Sequence, residues 1–293
     1  MNNDGVLLLG GAGFIGSALA SRLKQEKVPV HTVGRHNLVQ LEQMLPQCGT
    51  VVHLASATTP GSSARLPGLE LGNLALTLRL LDALRAQPHI HLIYFSSGGT
   101  VYGNPQQLPV SEDSLIAPLS NYGAGKAAQE SFCQALRAQG NAVTILRPSN
   151  AYGPGQTLKR GFGLVRTLLE HARLGTAVEI WGDGETVRDY IYIDDVVEAT
   201  LRFIQQPQDS GTYNLGSGVG YSVNQVREVV EQVCGRRLHA TYHPARGTDV
   251  RSVVLHCMRL NERLGWQPGV GLADGVAQTW AWIQQGLSNN GSE

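Results

Sequence analysis

The sequence is short of most features that mark a specialised setting. Acidic and basic side chains balance at 23 each over 293 residues, leaving no net charge. A broad electrostatic pull toward nucleic acid or an anionic membrane is therefore not expected. Cysteines are few, at positions 48, 133, 234 and 257, with no C-x-x-C among them. That scatter argues against a disulfide framework or a metal site and leads us to expect a reducing, cytoplasmic setting. Long apolar runs are missing too. The longest, Val6 to Ala20, is broken by glycines and preceded by Met1-Asn2-Asn3-Asp4-Gly5. It has neither the length of a membrane span nor the basic start of a signal peptide, so no membrane insertion is expected. There is no internal repeat. What the chain has in quantity is glycine, 35 residues, as a fold with many βα turns requires.

The first glycines are the most ordered. Val6-Leu7-Leu8-Leu9 suits a buried parallel strand, and Ser17 to Leu23 reads as a helix. Between them lies Gly10-Gly11-Ala12-Gly13-Phe14-Ile15-Gly16. Glycines spaced G-x-x-G-x-x-G allow a tight turn, close backbone approach to a pyrophosphate and tight packing of helix on strand. Backbone N–H groups at the start of the helix would hold the phosphates. The plain alternative, an ordinary glycine-rich turn, is disfavoured by the strand–loop–helix context.

An acid is absent where a dinucleotide fold usually offers one. After the next strand, Val28 to Val33, the chain reads Gly34-Arg35-His36-Asn37, with no acid before Glu42. Asp or Glu there would bind the ribose 2′-OH of NAD. Arg35 could instead pair with a 2′-phosphate, for which a guanidinium fork is well shaped, or be a solvated surface arginine. It tilts the expected cofactor, NAD(P), toward NADP(H).

Tyr122 and Lys126 open a helix-like run, Ser120-Asn121-Tyr122-Gly123-Ala124-Gly125-Lys126. Four residues apart on a helix, they share a face about one turn apart. A nearby ammonium favours the phenolate and is expected to lower the tyrosine pKa from ~10 toward the range useful for acid/base work. Y-x-x-x-K alone arises often by chance; the glycine loop upstream gives it weight.

Strand-like and helix-like segments alternate, which predicts an α/β fold: a Rossmann-type doubly wound parallel sheet with helices on both faces. After Pro148 the character changes, with more glycine, proline and aromatic residues. We expect a dinucleotide-binding domain over 1–150 and a smaller α/β substrate lobe over 151–293, with return of some late segments to the first domain left open.

The chain resembles the extended short-chain dehydrogenase/reductases of the nucleotide-sugar epimerase/dehydratase kind. The resemblance is carried by Gly10–Gly16, Ser96-Ser97-Gly98-Gly99-Thr100-Val101-Tyr102-Gly103, Tyr122/Lys126 and Leu146-Arg147-Pro148-Ser149-Asn150-Ala151-Tyr152-Gly153-Pro154. Trp181 to Val196, Tyr213 to Gly216 and Leu264 to Pro268 complete it. It implies Tyr122 as acid/base on a sugar hydroxyl, usually at C4, with Lys126 on the nicotinamide ribose. It places Gly10, Gly13, Phe14, Ile15, Gly16, Leu54, Ala55, Asn73, Ser96 and Pro148 against the cofactor. Asn150, Arg188, Arg246 and Asp249 would hold the nucleotide of a nucleotide-diphosphate sugar. It further implies a homodimer, and a place in polysaccharide biosynthesis.

Two departures stand out. Gly98 occupies the family's usual active-site Ser/Thr position, so Thr100 or Ser97 would have to supply the hydroxyl, with Thr100 preferred. The Arg35–Thr50 connection is too short for the extra strand the family commonly fits there, so that sheet edge should be trimmed. The implied chemistry is UDP-hexose 4-epimerisation through a transient 4-keto sugar. Alternatives are an NADPH-dependent 4-keto nucleotide-sugar reductase and a non-catalytic NADP(H)-binding protein.

Overall fold

The computed structural model describes residues 5–35, 37–159, 161–207, 209–245 and 250–290. β1 (Gly5–Leu9) is buried along its whole length, as an apolar run without a polar face must be when neighbours cover both sides. The glycine loop leads into α1 (Phe14–Gln25), then β2 (Val30–Val33) and α2 (Leu38–Met44). β3 (Cys48–His53), α3 (Pro60–Arg65), α4 (Glu70–Arg85) and β4 (His91–Phe95) follow. The short α5 (Gly98–Val101), α6 (Asn121–Ala138) and β5 (Val143–Pro148) close the first half.

The second half begins with β6 (Asn150–Tyr152), α7 (Leu164–Leu174), β7 (Val178–Trp181), β8 (Val187–Tyr192) and α8 (Ile193–Gln205). Next come β9 (Gly211–Leu215), β10 (Gly220–Ser222), α9 (Val223–Cys234) and β11 (Ala240–His243). β12 (Ser252–Val253), α10 (Met258–Leu264) and α11 (Leu272–Asn290) end the chain.

Six strands form one parallel sheet in the order β2-β1-β3-β4-β5-β9. The chain leaves β1 in one direction for β2 and then restarts on the other side at β3, which makes the β1/β3 ends the switch point where such sheets bind ligands. β9 returns from the second half to pair with β5. At the opposite edge, α2 and a 3₁₀ turn fill the short connection, and β2 is the last strand among the described residues. The expected trimming of that edge is what the structure has.

Alternate side chains of β1 enter two cores. Val6 and Leu8 face one, with Leu19 and Leu23; Leu7 and Leu9 face the other, with Leu80, Tyr94 and Cys133. The first core runs on without interruption into Tyr152, Val165 and Leu168 of the second half. Across the sheet's C-terminal end, buried Arg147 clamps three elements. Its Nε and Nη2 donate to the Glu130 carboxylate at 2.7–3.2 Å, and its Nη1 donates to Tyr102 OH at 2.8 Å. Tyr102 OH donates in turn to Asn214 Oδ1 at 2.6 Å. α6, which carries Tyr122 and Lys126, is thereby fixed to β5 and β9.

Candidate active site

α1 is preceded by Gly13 at its N-cap, with no side-chain cap and no acid in its first turn, so its leading N–H groups and positive dipole end meet no anion from the first turn. Gly10 has φ +90°, and a Cβ on it would lie 2.7 Å from the Ala55 N and Cα. A Cβ on Gly16 would lie 2.6 Å from the Gly10 carbonyl oxygen. These two glycines let strand, loop and helix close on one another, while Gly13 stands open apart from one contact at 3.3 Å. Phe14 and Ile15 are half-buried. Leu54 extends β3 by donating its N–H to Leu9 O at 2.9 Å, with Ala55 beneath Gly10. Arg35 is exposed on the same rim, just beyond β2, its Nη1 donating to Ser56 O at 3.4 Å. A glycine cradle, an uncapped helix start and a cation at the rim fit a dinucleotide diphosphate with its ribose alongside.

Asn73 is buried on α4 and uses its whole amide. Its Oδ1 accepts from Ala57 N at 2.7 Å, and its Nδ2 donates to Thr58 Oγ1 and Glu70 Oε2, each at 2.9 Å. It therefore fixes the loop after β3, and would act on a cofactor through that loop.

Ser120 caps α6 by accepting from Gly123 N at 3.1 Å, which places Tyr122 in the first turn and Lys126 one turn on. Lys126 is buried, and its Nζ donates to Phe95 O at 2.8 Å and lies 6.0 Å from the Tyr122 ring centroid and 5.2 Å from that of Tyr94. Burial pulls its pKa down to about 8, opposed chiefly by Glu70 and then by Glu130. The expectation that Lys126 lowers the Tyr122 pKa is not met. Burial, with Glu70 adding to it, pushes the Tyr122 phenol up to about 12. The ammonium points inward to the β4 carbonyl, and the loss of water around the phenol outweighs it.

Four serines and threonines, Ser96, Ser97, Thr100 and Ser149, follow the C-terminal ends of β4 and β5. Thr100 lies on α5, and a Cβ on Gly123 would come within 2.7 Å of its carbonyl oxygen, so it packs directly under the tyrosine turn. The hydroxyls of Thr100, Ser96 and Ser149 are buried and have no hydrogen-bond partner among the described residues. Ser97 precedes α5 and is half-buried, making no side-chain cap bond. A Cβ on Gly98 would lie 2.6 Å from Leu255 Cδ1 and 2.8 Å from Arg147 O. Leu255 thus fills the space where the family's usual hydroxyl-bearing side chain begins. Pro148 ends β5 in register with Leu215.

Of the residues expected at the substrate, Asn150 of β6 is exposed, and its Nδ2 donates to Asp189 O at 2.9 Å. It also faces Gly99, whose Cβ would sit 3.8 Å from it. Arg188 on β8 is half-buried and donates to Val187 O at 2.9 Å. Arg246 and Asp249 lie outside the described residues. Two groups went unnoticed in the sequence: Glu70, and Ser149 beside Pro148. The signal for Glu70 was an acid one turn before Asn73; for Ser149 there was none.

A family model for the NAD dependent epimerase/dehydratase family matches residues 6–216. The chain belongs to that family. Among its members, a UDP-glucose 4-epimerase of Mycolicibacterium smegmatis is 32% identical, covering 93% of this chain and 96% of that protein. A dTDP-4-dehydro-6-deoxyglucose reductase of Escherichia coli is 28% identical, over 93% of this chain and 95% of its own. The Thermotoga maritima UDP-glucose 4-epimerase, in a structure with UDP-glucose, superposes with a TM-score of 0.90 at 30% identity, covering 97% and 99% of the two chains. This epimerase/dehydratase family member thus keeps the family's fold along nearly its whole length. No helix among its described residues is long and apolar enough to cross a membrane.

Proposed function

We propose that the protein is a UDP-hexose 4-epimerase working through a transient 4-keto sugar. The observation that carries this is Tyr122 set one turn before Lys126, whose ammonium is held on the β4 carbonyl, with the backbone of Thr100 packed against the same turn at Gly123, in a chain similar from end to end to UDP-glucose 4-epimerases. A bound nicotinamide coenzyme would supply reversible hydride exchange with C4. The glycine loop and the α1 N-terminus would hold its diphosphate, with Lys126 and the loop fixed by Asn73 beside its ribose.

Tyr122 would take the O4–H proton as the sugar is oxidised and return it when the other face of C4 is reduced. With its pKa at about 12 the phenol is protonated at neutral pH, so in this state it is ready to donate. For the oxidising half it must lose that proton, and Lys126 is the cation placed to stabilise the phenolate. Thr100 Oγ1 would bond the same oxygen. Asn150, Arg188 and, by resemblance, Arg246 and Asp249 would grip the nucleotide diphosphate, which suits charge-assisted bonding. Anchoring that end alone leaves the sugar free to turn over.

A second reading, NADPH-dependent reduction of a 4-keto nucleotide sugar, is favoured by Arg35 at the ribose rim and by a tyrosine that begins as a proton donor. The similar Escherichia coli reductase supports it too. Incubation with UDP-glucose and no added reductant separates the two: UDP-galactose formed to equilibrium supports the epimerase. Stoichiometric NADPH loss with a 4-keto sugar nucleotide, and inertness toward UDP-glucose, supports the reductase. Tyr122→Phe should cost about 10²–10⁴-fold in kcat while coenzyme binding persists; full turnover in that variant sinks both.

The same reading includes a cytoplasmic setting, supported by four free cysteines, and a homodimer through the outer faces of α4 and α6. Exposed Leu71 and Phe132 support the dimer, and sedimentation would show its mass.

A further inference from the structure

Glu70 opens α4, yet its carboxylate is turned onto α6. A Cβ on Gly125 would lie 2.6 Å from Glu70 Oε2 and about as close to the rest of the group, at 3.0 Å from Cδ and 3.1 Å from Cγ. The acid therefore rests on bare helix backbone at the residue between Tyr122 and Lys126. Oε2 accepts from Asn73 Nδ2 at 2.9 Å, whereas Oε1 is buried with no hydrogen-bond partner among the described residues. An uncompensated buried carboxylate oxygen is costly unless a cation answers it.

We propose that Glu70 is a positioning residue of this active site: seated on Gly125, its carboxylate is the counter-charge that keeps Lys126 an ammonium beside Tyr122. The inference rests on the reading of Tyr122 and Lys126 as the reacting pair. The groups facing Lys126 are Glu70 from α4, Tyr94 from β4, His53 from β3, and Tyr122, Glu130 and Cys133 from its own helix. Glu130 is already neutralised by its bonds to Arg147. Burial keeps His53 neutral and the Cys133 thiol protonated, and it pushes Tyr94 well up. Glu70 is left as the acid whose field reaches Lys126 without a cation of its own. The same field opposes ionisation of Tyr122, so the carboxylate holds both members of the pair in their protonated forms.

The chain makes this directly measurable, because it contains four lysines: 24, 27, 126 and 159. Coenzyme-free protein labelled with ¹³C/¹⁵N-lysine would give four side-chain signals, and Lys126→Arg identifies the one of interest. The Lys126 midpoint is expected near pH 8. Glu70→Gln keeps the acceptor for Asn73 and removes the charge, so the midpoint should move to lower pH. Gly125→Ala retains the charge but pushes the flexible end of Glu70 away; it should move the midpoint the same way, in a helix that Ala suits better than Gly. In the loaded enzyme the alkaline limb of kcat should follow, whereas loss of a merely structural contact would lower the rate and leave the limb in place. An unmoved or raised midpoint in either variant overturns the proposal. Failure of the epimerase reading is seen separately, as full turnover in Tyr122→Phe, and leaves the lysine titration readable.

Discussion

At the residue scale, the half-buried setting of Tyr122 decides its protonation. Y-x-x-x-K was legible in the sequence because helical geometry alone puts residues four apart on one face. The direction of the tyrosine shift was not legible, since it depends first on burial in the fold, then on Glu70, far away in the chain, and on which way Lys126 points. Thr100 and Ser97 could be named as replacements for Gly98 because they are near it in the chain; which hydroxyl is buried depends on the fold, and of the two it is the Thr100 oxygen that is buried without a partner among the described residues. Thr100→Val is expected to lower kcat by about 10²-fold or more, in line with loss of one donor to a developing oxyanion; Ser97→Ala should change it little, as steady-state rates would show. Two buried histidines set the acid limit. Burial lowers His53 to about 3 and His91 to about 4, below the unfolded value of ~6.5. The unfolded chain thus binds more protons between these values. Stability is full above pH ~6.5 and should fall by roughly a few kcal/mol as the pH drops toward 4, a trend that urea midpoints across that range would check.

Elements divide into those specified locally and those specified by their neighbours. β1, the glycine loop and α1 were readable because each signal lies within one short stretch: a doubly buried apolar run, a spaced set of glycines, then helical periodicity. Gly16→Ala tests how tightly that unit is closed. The added methyl meets backbone of Gly10 and Gly11 on two sides, where nothing flexible can yield. We expect a loss of about 1–3 kcal/mol, read as a lower Tm, together with weakened coenzyme binding by calorimetry. The four residues of α5 show in the sequence as motif rather than helix, because so short a turn has no periodicity of its own. The shortened edge at β2 was foreseeable from the resemblance, since the Arg35–Thr50 connection is too short for the extra strand the family commonly fits there.

For the whole molecule, a boundary near residue 150 marks the change in composition, but the sheet does not end there. β9 lies beside β5, and one core runs through both halves. Sequence could only leave that return open, because a short strand such as Gly211–Leu215 carries no label for its partner. The Arg147 clamp binds the halves further, and Glu130→Ala would leave a buried guanidinium unpaired. About 3–5 kcal/mol of stability should be lost, seen in chemical denaturation as a lower midpoint. The late position of β9 also has a consequence for synthesis. β5 leaves the ribosome about 60 residues before its outer partner is made, an interval of several seconds at ~5–20 residues per second. Throughout it, the buried strand Val143–Pro148 has one bare side. The nascent chain must therefore wait for its second half to finish its first, and a fragment released near residue 150 would carry an open, apolar strand edge that invites other chains.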